Sequence, residues 1–445
     1  MMKNNDDQSS FTVGVDGPVL LQDIQLLEKL SRFVRERIPE RVVNAKGAGA
    51  HGFFRVYMPM SDFTSASFLQ NPEKKTPVFT RFSTFTGSTG SADTARDPRG
   101  FSVKFYTTEG NYDLVGNHLP VFYIRDAIKI PDLVHSLKPA PDSNITDPEM
   151  FWDFVSDSPE SIHMITWLFS DRGTTKSYRT MEGYGVNTYV WVSPKGRRHF
   201  VKYHWKPLLG IKNITRQEAE FLAGFDPDVA TRDLYDSLEQ GEVIEYELCV
   251  QLIPYENQFK YEFDILDATK IWPEDLIPLM KVGKMTLDKA PENFFEEVEL
   301  VAFSPGNIVP GIQLSFDKLL QGSIFAYSDA HRHRLGANYE QIPINKPKYT
   351  GNNNFHQELM MKYPPITTTG SVGEVAERKQ IPNIDDFSQA GDRYRNLSKR
   401  DQDHLVDNII ENMMFVDDKI QEKVVGYFKK ADIEFGNRVS LGLDF

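Results

Sequence analysis

The chain has 445 residues, 40% of them hydrophobic, which is enough for a large core with a smaller domain appended to it. Its 50 Lys and Arg against 63 Asp and Glu give a net charge of −13, which repels a phosphate backbone, so nucleic acid is not an expected partner. The single cysteine, Cys249, excludes an intrachain disulfide framework and is typical of a reducing compartment.

The beginning of the chain predicts neither export nor a membrane anchor. Residues 1–10 are polar and lack the apolar centre of a signal sequence, and no run of about eighteen apolar residues occurs anywhere. We therefore expect a cytoplasmic protein with no membrane partner.

Residues 1–42 are predicted to form an N-terminal arm with one helix between residues 23 and 37. Asp23 is a suitable capping residue, and Pro39 ends the pattern. Apolar side chains recur behind the cap at helical spacing: Ile24, Leu27, Leu30 and Val34.

The glycines of residues 47–52 formally match the dinucleotide-binding pattern G-x-G-x-x-G. That fingerprint must follow a strand and open a helix, whereas here it precedes residues 53–58, an aromatic and β-branched run typical of a strand. We reject a dinucleotide fold. The glycines more plausibly let the backbone lie close to a flat ligand.

Residues 43–287 are predicted to form an antiparallel β-barrel with helical insertions. In residues 244–253 apolar and polar side chains alternate, as in a half-buried strand. A helical insertion is predicted over residues 147–169, where apolar side chains recur at helical spacing. Further strand runs are residues 78–83, 102–106, 187–192 and 199–205.

The remainder predicts a long irregular segment, residues 288–398, followed by a short helical domain, residues 399–445. The irregular segment is rich in Pro, Asn and Gly and shows little periodicity. Within it, residues 321–336 concentrate Tyr327, His331, His333 and Arg334. Taken alone, His331 and His333 are compatible with a metal site, if they are alternate residues of a strand, or with a solvated polar loop.

Several blocks of the chain together carry a family resemblance. They are residues 37–52, 81–84, 90–101, 113–126, 202–206, 309–312 and 321–336. In order and spacing they resemble the monofunctional haem catalases of the small-subunit type. The resemblance implies an α+β fold with a catalase-like antiparallel β-barrel, an arm that threads into a neighbouring subunit, a wrapping loop and a C-terminal helical domain. It also implies a homodimer or homotetramer that binds haem, expected to be haem b.

The resemblance assigns roles to individual residues. Tyr327 matches the axial ligand of the haem iron, a role for which tyrosine is suited as a strongly donating phenolate. Asn117 matches the distal asparagine, and Ser83 the serine that supports the distal histidine. The expected haem contacts are Arg41, Val43, Arg81, Phe122, His331 and Arg334, in which the arginines would bind the haem carboxylates.

The chain departs from the family at the residue that matters most for peroxide dismutation. Where the family motif has the distal histidine, this chain has Asn44. A histidine accepts and donates a proton near neutral pH, whereas an amide forms hydrogen bonds without taking up a proton. We therefore expect dismutation to fall by ~10²- to 10⁴-fold unless another group substitutes. The substitutes considered are His118 and, less favoured, His51.

Four further positions differ from the family pattern. Ser323 replaces an arginine beside the axial tyrosine, and Ile130 replaces an aromatic residue at the distal haem face. Phe85 replaces a small valine of the main channel, and Asn187 replaces a histidine. Together with Asn44, these changes indicate a pocket adapted to something other than rapid peroxide turnover.

A nucleotide cofactor is not expected. Positions that hold NADPH in some relatives are matched by His163, Ser170, Arg172, Tyr184 and Lys206. However, Glu182 and Glu274 replace neutral or basic residues there, and their negative charge opposes a phosphate-bearing ligand.

The sequence thus predicts a haem enzyme with weak or absent catalase activity. We expect it to act on an organic substrate through peroxide or hydroperoxide O–O chemistry, as a peroxygenase, a peroxidase or a hydroperoxide-rearranging enzyme. One alternative is a working catalase in which His118 or water carries the proton. The other is a non-catalytic haem-binding protein.

Overall fold

The computed structural model describes residues 8–348, 377–379, 381 and 385–444. Within these residues, no helix combines the length and apolar character that crossing a membrane requires. The predicted arm contains helix α1 (Ile24–Val34), and the Asp23 side chain caps it by accepting a hydrogen bond from the Leu26 N–H at 2.9 Å. No residue of α1 is buried.

The core of the molecule is a closed antiparallel barrel, which confirms the predicted fold class. Eight strands follow one another in the order β7-β5-β4-β3-β2-β1-β9-β8, and pairing of β7 with β8 closes the ring, while β6 and β10 extend from β7. The strands are β1 (Gly47–Val56), β2 (Thr76–Thr84), β3 (Arg99–Thr107), β4 (Gly110–Asn117), β5 (Gly183–Tyr184), β6 (Tyr189–Val192), β7 (Arg198–Pro207), β8 (Ile244–Pro254), β9 (Met280–Lys289) and β10 (Ile312–Leu314).

Aromatic side chains fill the inside of the barrel. The Phe54 ring lies edge-on to the rings of Phe105 and Trp205, with centroids 5.5 and 6.3 Å apart, and all three side chains are buried. The glycine run that we placed before the first strand lies within β1 itself, where Gly52 pairs with Val78 of β2. Strands β4 and β9 were not predicted.

Helices occupy the connections between strands. The insertion predicted over residues 147–169 is confirmed as two helices, α3 and α4. The helices between β4 and β8 are α2 (Ile130–Leu137), α3 (Pro148–Asp157), α4 (Ile162–Leu168), α5 (Arg216–Phe225) and α6 (Val229–Glu239).

The segment that carries Tyr327 is a helix and not a loop, which corrects our prediction for residues 321–336. Helix α7 (Lys318–Leu335) spans 18 residues, and irregular backbone flanks it on both sides. In a helix, residues two apart point in different directions, so the strand geometry assumed for His331 and His333 does not exist. Of the predicted wrapping loop, residues 288–398, the stretch 349–376 lies outside the described residues.

The C-terminal helices form a second core against the insertion. Trp152 of α3 is buried there and donates a hydrogen bond from Nε1 to Asn412 Oδ1 at 2.9 Å. The helices are α8 (Ser388–Asn396), α9 (Lys399–Met413), α10 (Asp418–Ala431) and α11 (Ile433–Gly442). Helix α8 lies before the boundary that we predicted at residue 399.

Candidate active site

Asn44 lies in the turn that leads into β1, with a left-handed backbone φ of 63°. Asparagine tolerates this conformation better than most residues. Its backbone N–H donates to Phe85 O at 2.8 Å. Its side-chain nitrogen donates to Ser83 Oγ at 2.9 Å and to Thr84 O at 3.1 Å. Asn44 is therefore held at the end of β2 by both its backbone and its side chain.

The strand register brings the other predicted distal residues to the same place. Ser83 of β2 lies opposite Gly100 of β3, which in turn lies opposite Asn117 of β4. Residues directly opposite one another share a face of the sheet. A Cβ on Gly100 would lie only 2.7 Å from Asn44 Nδ2, so the absence of a side chain there makes room for the amide. Val43 lies half-buried in the same turn.

His118 does not reach this group. The Arg99 N–H donates to its Nδ1 at 2.8 Å, so its Nε2–H donates to Arg172 O at 2.7 Å. Burial, followed by the charge of Arg99, holds the pKa of His118 well below its usual value. With both ring nitrogens bonded, the arrangement does not support His118 as a substitute proton shuttle. The His51 Nε2 is likewise bonded, to Glu297.

Three arginines form a cluster, and two of them pair with one carboxylate. Arg41 and Arg334 both form ion pairs with Glu299, at 3.4 Å from Arg41. Arg81 donates to Asn44 O at 2.8 Å and to Ala45 O at 3.0 Å. The cluster therefore joins the turn that holds Asn44 to the residues after β9.

This cluster carries more positive charge than its protein partners balance. Burial, then the charges of Arg81 and Arg334, lower the pKa of Arg41 well below its usual value. Burial also lowers the pKa of Arg81 to about 10. Arg81 Nε and Arg334 Nη1 are buried without a hydrogen-bond partner among the described residues. Unpaired buried donors of this kind are costly, and an anionic ligand with two carboxylates fits them.

Tyr327 projects from the middle of α7. Among the described residues, its hydroxyl has no hydrogen-bond partner, and burial alone raises its pKa to about 12. Ser323, one helical turn earlier, turns its hydroxyl back to Leu319 O at 2.7 Å. No cation of the described chain contributes to the pKa of Tyr327, so its oxygen is free to bind a metal ion but is not activated by a positive charge.

His331 follows Tyr327 on the same face of α7, with ring centroids 6.2 Å apart. Burial, helped by the charge of Arg41 and opposed by the hydrogen bond to the Phe303 backbone, lowers the pKa of His331 to about 4, so the ring is neutral at pH 7. Its Nε2 lies 2.7 Å from Phe303 O and donates to it. The neutral imidazole of His331 therefore holds α7 to Phe303. His331 and His333 do not form a pair of metal ligands.

An aromatic pair lies next to the amide group. The Phe85 and Phe122 rings meet edge to face, with centroids 5.9 Å apart. Both side chains are half-buried, as is Ile130 at the start of α2. Phe122 and Ile130 pack against the second hydrophobic core. A group of apolar side chains therefore begins at Phe85, whose carbonyl accepts the Asn44 N–H.

Asn187, which replaces a histidine of the family pattern, binds an aspartate at the start of α7. Its Nδ2 donates to Asp317 Oδ2 at 2.9 Å, and Asp317 Oδ1 caps α7 by accepting from the Leu320 N–H at 3.0 Å. Asn187 therefore ties the beginning of the tyrosine helix to the chain before β6.

The residues at the predicted nucleotide positions bond to one another. Glu182 accepts hydrogen bonds from Arg172 Nη2 at 2.6 Å and from Tyr184 Oη at 2.9 Å. The Arg393 guanidinium lies 3.3 Å from the Trp167 ring centroid and donates to Ser170 Oγ at 3.1 Å. Lys206 pairs with Glu274 at 3.8 Å, and His163 Nδ1 lies 2.8 Å from Thr269 O. The absence of NADPH stays a prediction.

Sequence reasoning missed Glu299 and Asp317, which organise the arginine cluster and the tyrosine helix. Glu299 is separated from Arg41 by 258 residues, so no local pattern reveals their contact. Asp317 did carry a signal, because an aspartate before an apolar pair is a helix-capping pattern.

Comparisons with known proteins support one family across both parts of the chain. The catalase family model matches residues 2–371, and the model for catalase-related immune-responsive domains matches residues 380–443. A catalase of Methanosarcina barkeri is 48% identical over 99% of this chain and 92% of its own length. Catalase-2 of Bacillus subtilis is 46% identical over 99% of this chain and 69% of its own length.

A solved structure agrees with this assignment. The crystal structure of a fungal catalase superposes with a TM-score of 0.91 at 38% sequence identity, covering 98% of this chain and 92% of the fungal one. The closed barrel and the C-terminal helices are therefore shared with the fungal catalase. The chain belongs to the catalase family and is an oxidoreductase of the haem catalase type.

Proposed function

We propose that this protein has weak or absent hydrogen peroxide dismutation and acts on an organic substrate through peroxide or hydroperoxide O–O chemistry. The reaction would be that of a peroxygenase, a peroxidase or a hydroperoxide-rearranging enzyme. The carrying observation is Asn44, which lies where a proton-transferring side chain is required and whose amide is held by Ser83 and Thr84.

The cofactor that fits is haem, expected as haem b. Tyr327 would hold its iron, and the unpaired donors of Arg81 and Arg334, together with Arg41, would hold its carboxylates. When bound, haem supplies the redox chemistry that cleaves an O–O bond. Val43, Phe122 and His331 would be further contacts of its faces and edge.

Dismutation requires a proton to be carried from one peroxide oxygen to the other, and the chain offers no suitable carrier at Asn44. An amide has no basic lone pair at working pH. The ring nitrogens of His118 are both bonded, and His51 is paired with Glu297. General acid–base catalysis is worth ~10²- to 10⁴-fold, and this is the deficit that we expect.

An organic substrate is supported by the group of apolar side chains that begins at Phe85, whose carbonyl accepts the Asn44 N–H. Phe85 and Phe122 meet edge to face, and Ile130 adds a branched aliphatic side chain. These groups favour a hydrocarbon substituent over bulk water, since burying apolar surface is worth ~25 cal/mol per Å². The proposal also includes that the protein is cytoplasmic and forms a homodimer or a homotetramer.

The Asn44→His variant tests the proposed deficit. We expect the purified holoenzyme to release oxygen from hydrogen peroxide ~10²- to 10⁴-fold more slowly than this variant, because the imidazole restores a proton carrier. Oxygen release is measured with an electrode, and consumption of cumene hydroperoxide with a reducing dye is measured in parallel. The Asn44→Gln variant is the control, because a longer amide provides no base.

A working catalase is the second candidate, favoured by the two relatives that are named catalases and are 48% and 46% identical to this chain. In that case a water molecule would relay the proton past Asn44. Equal oxygen release by the native protein and Asn44→His would select this candidate. A haem spectrum that neither peroxide nor cumene hydroperoxide changes would instead indicate a non-catalytic haem-binding protein.

A further inference from the structure

The Asn44 amide is fixed in one orientation by its neighbours. Its side-chain nitrogen lies 3.1 Å from Thr84 O, and a backbone carbonyl can only accept, so the atom facing it must be the donating nitrogen. The second hydrogen of that nitrogen is directed to Ser83 Oγ at 2.9 Å. Both donor positions are therefore used. None of the described residues donates to Asn44 Oδ1, which is left as a free acceptor.

The Asn117 amide is fixed in the opposite orientation. Its Oδ1 accepts from the Leu119 N–H at 2.7 Å, and a backbone N–H can only donate, so this oxygen is identified without ambiguity. Its Nδ2 has no acceptor among the described residues. Asn117 therefore offers donors where Asn44 offers an acceptor.

The two amides open onto one face of the sheet. Asn117 lies opposite Gly100, and Gly100 lies opposite Ser83, which holds Asn44. A side chain at Gly100 would fill the space beside Asn44 Nδ2, as its Cβ would lie 2.7 Å away. The Asn44 acceptor and the Asn117 donors therefore belong to the same face of the sheet, with the bare backbone of Gly100 between Ser83 and Asn117.

We propose that Asn44 Oδ1 is a substrate-binding acceptor that selects neutral hydroperoxides through their O–H group, while Asn117 Nδ2 donates to an oxygen of the same group. This inference rests on the proposed function, because it defines the substrate class of that site. The proton stays on the bound substrate, since an amide oxygen does not take it up. A hydroperoxide anion is disfavoured because it places negative charge against a fixed acceptor. Ser83 is a positioning residue that acts through Asn44.

The test compares two neutral isomers, pentan-1-ol and butyl methyl ether, as unreactive probes. Only the alcohol can donate to Asn44 Oδ1, while both accept from Asn117. Each is titrated into the ferric holoenzyme, and the dissociation constant is read from the haem absorbance. We expect the alcohol to bind about tenfold more tightly, the effect of one buried hydrogen bond.

Two variants and a control locate the effect. In Asn44→Leu, which has a similar volume without the acceptor, the alcohol-to-ether ratio should fall to near one. In Ser83→Ala the ratio should fall partway with haem content unchanged. In the exposed control His135→Gln it should stay at the native value. Equal binding of the two probes by the native protein, no binding of the alcohol, or an unchanged ratio in Asn44→Leu would each overturn the inference.

The outcome can be separated from that of the proposed function. If the protein turns over cumene hydroperoxide but binds the alcohol no more tightly than the ether, only the acceptor role of Asn44 is contradicted. If the alcohol binds more tightly than the ether in a way that depends on Asn44, but no hydroperoxide is turned over, only the proposed reaction is contradicted.

Discussion

The backbone conformation at Asn44 limits which residue types this position accepts. The left-handed φ of 63° suits asparagine, and histidine is also among the residues enriched in this region. The Asn44→His variant should therefore fold without large backbone strain. A change in its oxygen release can thus be attributed to the imidazole.

Ser323 offers a second test at the scale of one residue. The Ser323→Arg variant places a cation one helical turn before Tyr327, where residues i and i+4 are neighbours. We expect the pKa of Tyr327, raised to about 12 by burial, to fall because a nearby positive charge stabilises the phenolate. The measurement is an ultraviolet pH titration of the haem-free protein, with Tyr327→Phe subtracted.

The matched control for this titration is Phe325→Arg. Phe325 is 73% exposed and lies two residues from Tyr327, on a different side of α7. The same downward shift in both variants would show that general charge, and not the Ser323 position, sets the behaviour of Tyr327.

At the scale of elements, α7 depends on its first turn. Asp317 is almost fully buried, caps the helix through Leu320 N–H and receives the Asn187 amide. The Asp317→Ala variant should lower the free energy of unfolding by about 2 kcal/mol, because it removes a cap and leaves a buried donor unpaired. It should also weaken haem retention, since Tyr327 lies on this helix. Urea unfolding and haem release to apomyoglobin measure the two effects.

Asp417→Ala is the control for the helix cap. Asp417 caps α10 in the C-terminal helices, with Oδ1 2.9 Å from the Lys419 N–H. Its loss should destabilise the fold without changing haem release. If both variants lose haem at the same rate, the tyrosine helix has no special dependence on Asp317.

Strand β8 was predictable because its two faces are covered to different extents. Strand β8 alternates between buried and half-buried positions over much of its length, and alternation is what a sequence displays. Strand β4 was missed because Asp113, a charged residue, is buried within it and bonds to Lys104 of β3. Helix α7 was missed because only four of its residues are buried, so no apolar stripe marks it.

The candidate site was only partly predictable for a related reason. Asn44, Ser83 and Asn117 were identified by resemblance, and the strand register explains why they meet. The orientation of the amides depends on the Thr84 carbonyl and the Leu119 N–H, which are backbone atoms that a sequence does not distinguish.

At the scale of the whole molecule, buried neutral histidines govern the response to acid. Burial is the main cause of the lowered pKa in each case: His163 falls to about 3, His204 and His331 to about 4, and His118 lies well below its usual value. A lowered folded-state pKa means that the unfolded chain binds more protons, so stability is present above about pH 6.5 and is lost as pH falls toward 4.

Buried carboxyl groups act in the opposite direction. Burial raises the pKa of Asp97 to about 6 and also raises that of Asp317, so their contributions are lost as pH rises through the folded values. The histidines with a lowered pKa outnumber the carboxyls whose pKa burial raises. The free energy of unfolding should therefore fall as the pH decreases from about 6.5 toward 5.

Chemical unfolding at several pH values between 4.5 and 7 tests this balance. The His204→Phe variant keeps a ring against Tyr184 but cannot titrate, so the slope should decrease by about 1.4 kcal/mol per pH unit. The exposed His135→Gln should leave the slope at the native value. A native slope that His204→Phe does not change would contradict the role given to burial.

Helix α1 has a consequence for handling the protein. Its eleven residues include none that is buried, and Ile24, Phe33 and Val34 each expose more than half of their surface. In a single chain these apolar side chains are exposed to water. Such a patch favours adsorption to tubes or membranes and association with other chains. The protein concentration, more than the temperature, would then decide how long a preparation stays free of aggregates.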